Sequence, residues 1–148
     1  MSTLEQQPKF FLDRSLGRVA VPTLLRAAGW DLVTLAEHYG VPEDERVPDP
    51  EWIREAALRG WPILMKDKRI RYRSAEISTV IQHAAQCFVI TRGDLSSGEM
   101  ASRFLTASQA ILDAVGTPGP YIYAVHSDRI DRLYPARPRL GLQRPAQP

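Results

Sequence analysis

The chain has 148 residues, 44% of them hydrophobic and 24% charged, which is close to the usage of an ordinary soluble globular domain. Its single cysteine, Cys87, cannot form an internal disulfide bond, and no apolar run approaches the roughly 20 residues that a membrane span requires. Collagen, coiled coils, disulfide-stapled secreted domains and membrane proteins are therefore excluded as classes. The cysteine usage and the lack of a basic-then-apolar leader over residues 1–10 predict a cytoplasmic protein.

Charge is spread unevenly along the chain. The formal net charge of +2 includes Arg137, Arg139 and Arg144, which lie in a C-terminal stretch without acidic residues. Removing these three from the 19 basic residues leaves 16, against 17 acidic ones, so the rest of the chain is almost neutral and not a strongly cationic nucleic-acid surface. We predict one domain over residues 1–134 and a Pro- and Arg-rich, disordered tail over residues 135–148.

Short apolar runs alternate with amphipathic segments along the chain. The apolar runs predict strands at 9–12, 31–35, 62–65, 87–90 and 121–125, and a short sixth strand at 129–133. The amphipathic segments predict helices at 19–28, from 49 to a stop at 60, at 74–86, and a long helix that ends before 116. Parallel strands need crossover connections, and helical crossovers cover both faces of a sheet. We therefore predict a three-layer α/β/α domain with a central, mainly parallel sheet of about five strands.

Several helix ends carry characteristic residues. Asp49 is predicted as an N-cap, with Pro50 at the first helical position and Gly60 as the stop. Ser74 is predicted to cap the next helix. The polar, proline-containing segment 40–48 is predicted to be an irregular loop.

Acidic residues follow each of the first four predicted strands. In chain order they are Asp13, Glu37, Asp67 and Asp94. Ligands of open parallel sheets bind beyond the carboxyl ends of the strands, so chemistry is expected at these positions. Crowded carboxylates repel one another unless a shared proton or a divalent cation neutralises them, and Mg²⁺ or Mn²⁺ prefers oxygen ligands. The pattern therefore indicates a metal site, although Asp13 as a turn residue and Asp49 as a helix cap are structural alternatives.

A basic stretch surrounds Asp67. It contains Lys66, Lys68, Arg69, Arg71 and Arg73, with Tyr72 among them. Basic side chains hold phosphates, and a tyrosine ring stacks on an unpaired base. The alternatives are a solvated loop and simple neutralisation of Asp67 by the flanking lysines, but the position beside a candidate metal ligand favours a nucleic-acid contact.

Common catalytic motifs of other classes are absent from the sequence. It has no Walker loop, no G-x-G-x-x-G, no H-E-x-x-H and no G-x-S-x-G. The three histidines, His38, His83 and His126, lack metal-ligand spacing. Nucleotide hydrolysis and serine chemistry therefore lose their usual support.

Four segments carry a family resemblance: residues 11–17, 25–29, 48–52 and 60–70. In order and spacing they resemble the PIN-like domains, specifically the compact group allied with VapC-type toxins of bacterial toxin–antitoxin pairs. The resemblance extends over about residues 9–125, which is nearly the whole predicted domain. One departure is Met65 before Lys66 and Asp67, where many relatives have a threonine hydroxyl.

The resemblance implies a metal-dependent ribonuclease, with Mg²⁺ or Mn²⁺ activating water against an RNA phosphodiester. Carried over by position, the catalytic and metal-binding acids would be Asp13, Asp49 and Asp67, with Glu37, Asp94 and Glu76 as candidates for a further ligand. RNA contacts would come from Arg14 and from Lys66, Lys68, Arg69, Arg71, Tyr72 and Arg73.

The resemblance also implies partners. These are the RNA substrate, a cognate antitoxin that blocks the acidic site with a basic side chain, and a second copy of the chain in a homodimer, with no membrane. Two other functions stay open at this point. One is a catalytically inactive PIN-like module that binds RNA or a partner. The other is a receiver-like signalling domain, whose outline Asp13, Asp67 and Thr91 fit, although Arg14 stands where a second acid is expected.

Overall fold

Apolar residues occur consecutively in the strands rather than alternating with polar ones, which is typical of strands buried on both faces. In the computed structural model, which describes residues 7–136, these runs form one six-stranded sheet. The strands are β1 (Lys9–Leu12), β2 (Asp31–Thr34), β3 (Ile63–Lys66), β4 (Gln86–Ile90), β5 (Tyr121–Val125) and β6 (Ile130–Tyr134). The helices are α1 (Ala20–Ala27), α2 (Leu35–Tyr39), α3 (Asp49–Arg59), α4 (Ser74–His83), α5 (Ser97–Thr106) and α6 (Ser108–Val115).

The strand order in the sheet is β2-β1-β3-β4-β5-β6. The first five strands in this order pair in parallel, and β6 pairs antiparallel with β5. The carboxyl ends of β1, β3 and β4 therefore lie side by side at one edge of the sheet. This confirms the predicted mainly parallel α/β sheet, with the short sixth strand present as its antiparallel margin.

The two faces of the sheet carry separate hydrophobic cores. On one face Leu12, Leu64 and Phe88 pack with residues of α1, α5 and α6. On the other face Phe11 and Ile63 pack with residues of α2, α3 and α4. Successive strand residues thus pack against helices on opposite faces of the sheet, as the pleat of a strand requires. This confirms the predicted three-layer architecture.

Two local predictions are wrong. The second strand ends at Thr34, and residues 35–39 form α2, because the Thr34 hydroxyl accepts a hydrogen bond from the Glu37 N–H and the Glu37 carboxylate accepts one from the Thr34 N–H. This reciprocal cap starts a helix where the apolar residues predicted more strand. The predicted long helix is two helices, α5 and α6, separated at Ala107. Phe104 of α5 and Ile111 of α6 are both buried against the same sheet face. The apolar pattern therefore continues across Ala107, and the sequence gives no sign that the helix is interrupted there.

Two predicted caps are also displaced by one residue. Pro48 occupies the cap position of α3 and Asp49 is its first helical residue, without a capping hydrogen bond. Likewise, Arg73 precedes α4 and Ser74 begins it. The carboxylate of Asp49 is thereby left available for contacts other than the helix backbone.

Within the described residues no helix combines the length and the apolar character needed to cross a membrane. Of the predicted tail, only Pro135 and Ala136 are described, and the remainder lies outside the described residues.

Candidate active site

Two backbone hydrogen bonds continue the sheet just past its strands and fix the start of the site. The Asp13 N–H donates to the Leu64 carbonyl at 3.0 Å, and the Asp67 N–H donates to the Ile90 carbonyl at 2.9 Å. Asp49 reaches the same edge from the first turn of α3. Together Asp13, Asp49 and Asp67 line one open cavity of about 560 Å³. The topology thus brings together three acids that are far apart in the sequence.

Asp13 is the most enclosed of the three acids. Its Oδ2 accepts a hydrogen bond from the Ser15 hydroxyl at 2.7 Å, and the Ser15 Oγ accepts one from the Lys66 N–H at 2.9 Å. Its Oδ1 is buried and has no hydrogen-bond partner among the described residues. Burial raises the pKa of Asp13, the Ser15 hydrogen bond opposes this rise, and the nearby charge of Asp49 adds to it. Burial and Asp49 therefore disfavour the charged form of Asp13, and Ser15 and the charge of Arg14 offset this only in part.

Asp49 is held by its own helix. Its Oδ1 accepts a hydrogen bond from the Trp52 indole Nε1 at 3.0 Å. A second contact comes from Arg14, whose Nη2 lies 3.6 Å from the same oxygen. The Trp52 side chain is fully buried in the core, so the indole that donates to the Asp49 carboxylate has little freedom to move.

Asp67 is paired within the chain. Its Oδ2 lies 2.7 Å from Nε of Arg73, and its Oδ1 accepts a hydrogen bond from the Arg69 N–H at 2.8 Å. Among the residues that the structure describes, no three His, Cys, Asp or Glu side chains are grouped closely enough to hold a metal ion. The three acids thus share a cavity, while Asp67 is turned toward an arginine.

Basic side chains complete the cavity wall. They are Arg14, Lys66, Lys68 and Arg73, so four basic groups stand beside three acidic ones. Arg14 is fixed from behind, because its Nη1 donates to the Asp44 carbonyl at 2.9 Å and its Nη2 donates to the Val47 carbonyl at 3.3 Å. In such an arrangement the carboxylates can bind a divalent cation and the basic side chains can bind a phosphate group.

Comparison with known proteins decides the family. A model described as a PIN like domain matches residues 8–92, a range that contains all three cavity acids. The chain belongs to the PIN-like domain family. It is 42% identical over 123 residues to "Putative ribonuclease VapC45" of Mycobacterium tuberculosis (strain ATCC 25618 / H37Rv), over 83% of this chain and 89% of that protein. No solved structure matches the chain.

These findings confirm the resemblance to the VapC-type group of PIN-like domains and set aside the receiver-like alternative. The matched segment ends just past β4. It therefore spans the part of the PIN-like fold that supplies Asp13, Asp49 and Asp67.

Two further predicted ligands of this PIN-like domain lie elsewhere. Glu37 pairs with Arg26 at 2.7 Å, which lowers the pKa of Glu37, and it caps α2. Asp94 pairs with Arg92 at 2.6 Å and lines a second cavity. The structure therefore brings together three of the five predicted acidic ligands. Glu76, the remaining acid considered, lies in the first turn of α4, where its charge acts on Arg73.

The predicted RNA-contacting residues divide in the same way. Four of them line the acidic cavity: Arg14, Lys66, Lys68 and Arg73. Three do not: Arg69, Arg71 and Tyr72. Tyr72 is 82% exposed, and Arg71 borders a separate, largely apolar cavity.

Sequence reasoning missed the residues that hold the acids in place. Trp52 stands three residues after Asp49 in α3, and this spacing is a usable signal, since residues three apart share a helix face. Ser15 stands two residues after Asp13, and that spacing gives no such signal. Asp44 was also missed. Its buried carboxylate accepts hydrogen bonds from Arg18, at 2.8 Å for the shortest, and it sits in the loop that leads into α3.

Proposed function

We propose that this PIN-like protein is a metal-dependent endoribonuclease and the toxin of a toxin–antitoxin pair. The observation that carries the proposal is one open cavity in which Asp13, Asp49 and Asp67 stand beside four basic side chains. The printed name of the mycobacterial relative supplies the reaction class, RNA cleavage. RNA phosphodiesters carry the negative charge that the basic border would hold.

The donor set fits a hard divalent cation. The pKa of Asp13 is raised by burial and by the charge of Asp49, so a cation bound beside these carboxylates would stabilise their charged form. Mg²⁺ or Mn²⁺ prefers such oxygens, and Asp13, Asp49 and Asp67 would hold it. When bound, the ion supplies a counter-charge for the phosphoryl group and a water of lowered pKa. Asp67 would join this set by turning away from Arg73.

The chain's own side chains would orient the RNA. Lys66 and Lys68 flank Asp67 and would hold the phosphate oxygens beside the acids. Ser15 keeps the Asp13 carboxylate in one orientation through its 2.7 Å hydrogen bond, and Trp52 does the same for Asp49 at 3.0 Å. Asp13 and Asp49 are thereby preorganised before substrate arrives, which is how such sites gain rate.

The test is cleavage of a mixture of transfer and ribosomal RNA by the purified protein, with Mn²⁺ or Mg²⁺ against excess chelator. We expect cleavage only with the ion, and a loss of more than about 100-fold in Asp67→Asn, because losing a direct ligand should exceed the cost of losing a residue behind one. Asp31→Asn is the matched control, since Asp31 is an exposed acid at the opposite end of the neighbouring strand. No cleavage, together with no calorimetric sign of ion binding, would favour the inactive binding module instead.

Arg73 should compete with the ion for Asp67. We expect Arg73→Gln to bind Mn²⁺ up to about fivefold more tightly, because the variant removes a partly exposed ion pair that must break. The same variant should bind RNA more weakly, since one phosphate-binding cation is lost. Calorimetry with Mn²⁺ and fluorescence anisotropy with labelled RNA measure the two effects. Changes of the same sign in both affinities would contradict this assignment.

The proposed partner is an antitoxin that closes the acidic cavity with a basic side chain. The 2.7 Å pairing of Arg73 with Asp67 supports this, because a guanidinium already lies against one of these acids. The homodimer and the cytoplasmic location stay predictions from the sequence.

A further inference from the structure

A second polar cavity lies beside the acidic one at the same edge of the sheet. It has a volume of about 470 Å³, within the usual range for small-ligand sites of about 300–1,000 Å³. The short loop 92–94 stands between the two cavities, because Gly93 lines the acidic cavity while Arg92 and Asp94 line the second one. Arg103 of α5 and Ser127, just past β5, complete the facing wall.

We propose that this second cavity binds the neighbouring nucleotide of the RNA strand whose cleaved phosphate lies beside Asp13, Asp49 and Asp67. The inference rests on the proposed ribonuclease function and extends its site from β3 across β4 to β5. The phosphate of that nucleotide contacts Arg103, and its ribose contacts the hydroxyl and carboxylate groups of the wall.

Arg103 is the cation best placed for the phosphate. Its Nη1 donates to the Val125 carbonyl at 3.2 Å, which anchors the half-buried side chain to the end of β5. Within residues 7–136 no carboxylate lies within ion-pair distance of Arg103, although the hydrogen bond from Arg92 and then the charge of Arg103 help to lower the pKa of Asp94. The other N–H groups of Arg103 can therefore donate to a phosphate. Arg92, by contrast, is engaged through two hydrogen bonds to Asp94, at 2.6 and 3.0 Å.

The acidic groups of the cavity already have partners within the chain. Asp94 is paired with Arg92, and the Glu99 carboxylate, which keeps its charge, accepts a hydrogen bond from the Ser96 N–H at 2.8 Å. Their oxygens and the serine hydroxyls of the wall are acceptors that suit ribose hydroxyls. A polar lining of this kind fits a sugar–phosphate backbone better than an apolar small molecule.

Gly93 lies in the loop between the two cavities and has no side chain. A Cβ built there would approach Cδ of Lys68 at 3.5 Å, which is ordinary van der Waals contact. The backbone at Gly93 is outside the left-handed region, so it does not itself require glycine. A larger side chain at this position is therefore compatible with the fold and would stand between the two cavities.

The test is binding of a fluorescein-labelled, single-stranded RNA 12-mer of mixed sequence, measured by anisotropy in chelator over a range of salt. We expect Arg103→Gln to weaken binding about tenfold, the value of one charged hydrogen bond, and to reduce the slope of log affinity against log salt by about 0.7. Arg103→Lys should keep the slope. Gly93→Leu should also weaken binding. Arg54→Gln, an exposed position on α3 in the opposite layer, is the charge-matched control and should change nothing.

Thermal unfolding of every variant establishes that the fold is kept. If the wild-type protein cleaves RNA and binds the 12-mer, but Arg103→Gln and Gly93→Leu both keep its affinity and salt slope, the second nucleotide site is refuted while the ribonuclease stands. If the wild-type protein neither binds nor cleaves RNA, the ribonuclease proposal fails, and the second site falls with it.

Discussion

An Asp13→Asn variant should lose RNA cleavage by more than about 100-fold and yet unfold at a higher temperature than the wild-type protein. The loss of cleavage follows from removing the charge of the most enclosed acid of the cavity. The gain in stability follows from the same charge, because a buried carboxylate oxygen without a hydrogen-bond partner disfavours the folded state.

The stability gain should depend on pH with a defined sign. Burial and the charge of Asp49 raise the pKa of Asp13 in the folded protein above its ordinary value of 3.8. Folding therefore favours the protonated carboxyl, whose stabilising contribution is full below the unfolded-state pKa and is lost as pH rises through the folded-state pKa. The melting-temperature difference between Asp13→Asn and wild type should widen as pH rises through that interval and then stay constant.

Thermal melts of both proteins from about pH 3.5 to pH 8 measure this difference, and the cleavage assay runs on the same preparations. Asp31→Asn, which changes an exposed acid away from the cavity, should leave both properties close to wild type. Retained cleavage in Asp13→Asn would remove Asp13 from the mechanism. A lower melting temperature at neutral pH would contradict the account of its burial.

Trp52 should affect both stability and activity, and two substitutions separate the effects. Trp52→Ala removes a fully buried indole and should cost about 3–5 kcal/mol of unfolding free energy. Trp52→Phe keeps most of the packing but removes the Nε1 donor that holds the Asp49 carboxylate at 3.0 Å. We expect Trp52→Phe to lower kcat by about tenfold to 100-fold, as for other groups that orient a ligand, with little change in KM.

The measurements are denaturant unfolding and steady-state RNA cleavage. Trp61→Phe is the matched control, because Trp61 packs on Phe11 with 5.5 Å between ring centroids and does not line the cavity. Equal loss of kcat in Trp61→Phe and Trp52→Phe would attribute the effect to packing. A rise in KM without a fall in kcat would place Trp52 in RNA binding instead of in positioning Asp49.

The fold and the choice of acids could be predicted because both depend on local pattern. Consecutive apolar residues such as Phe10–Leu12 are characteristic of strands covered on both faces, and helices between them impose parallel pairing. Once parallel pairing is fixed, the residues after β1 and β3 must be neighbours. Asp13 and Asp67 could therefore be placed together from sequence, and the family resemblance added Asp49.

The contacts of those acids could not be predicted, because they depend on side-chain direction after the chain has folded. Nothing in the basic stretch singles out Arg73, among five basic residues, as the partner of Asp67. Glu37 follows a strand as Asp13 does, yet the reciprocal cap with Thr34 and the pairing with Arg26 direct it elsewhere. A position after a strand is thus not sufficient to place an acid in this site, and Asp49 reaches it from a helix instead.

We propose that Asp13, Asp49 and Asp67 hold one divalent cation on which RNA cleavage depends. Titration of the wild-type protein and Asp13→Asn with Mn²⁺ by isothermal calorimetry is the decisive experiment, because its readout does not require knowledge of the RNA target. We predict saturable Mn²⁺ binding by the wild-type protein that is lost in Asp13→Asn. Equal Mn²⁺ binding by the two proteins, or none by the wild-type protein, would contradict it.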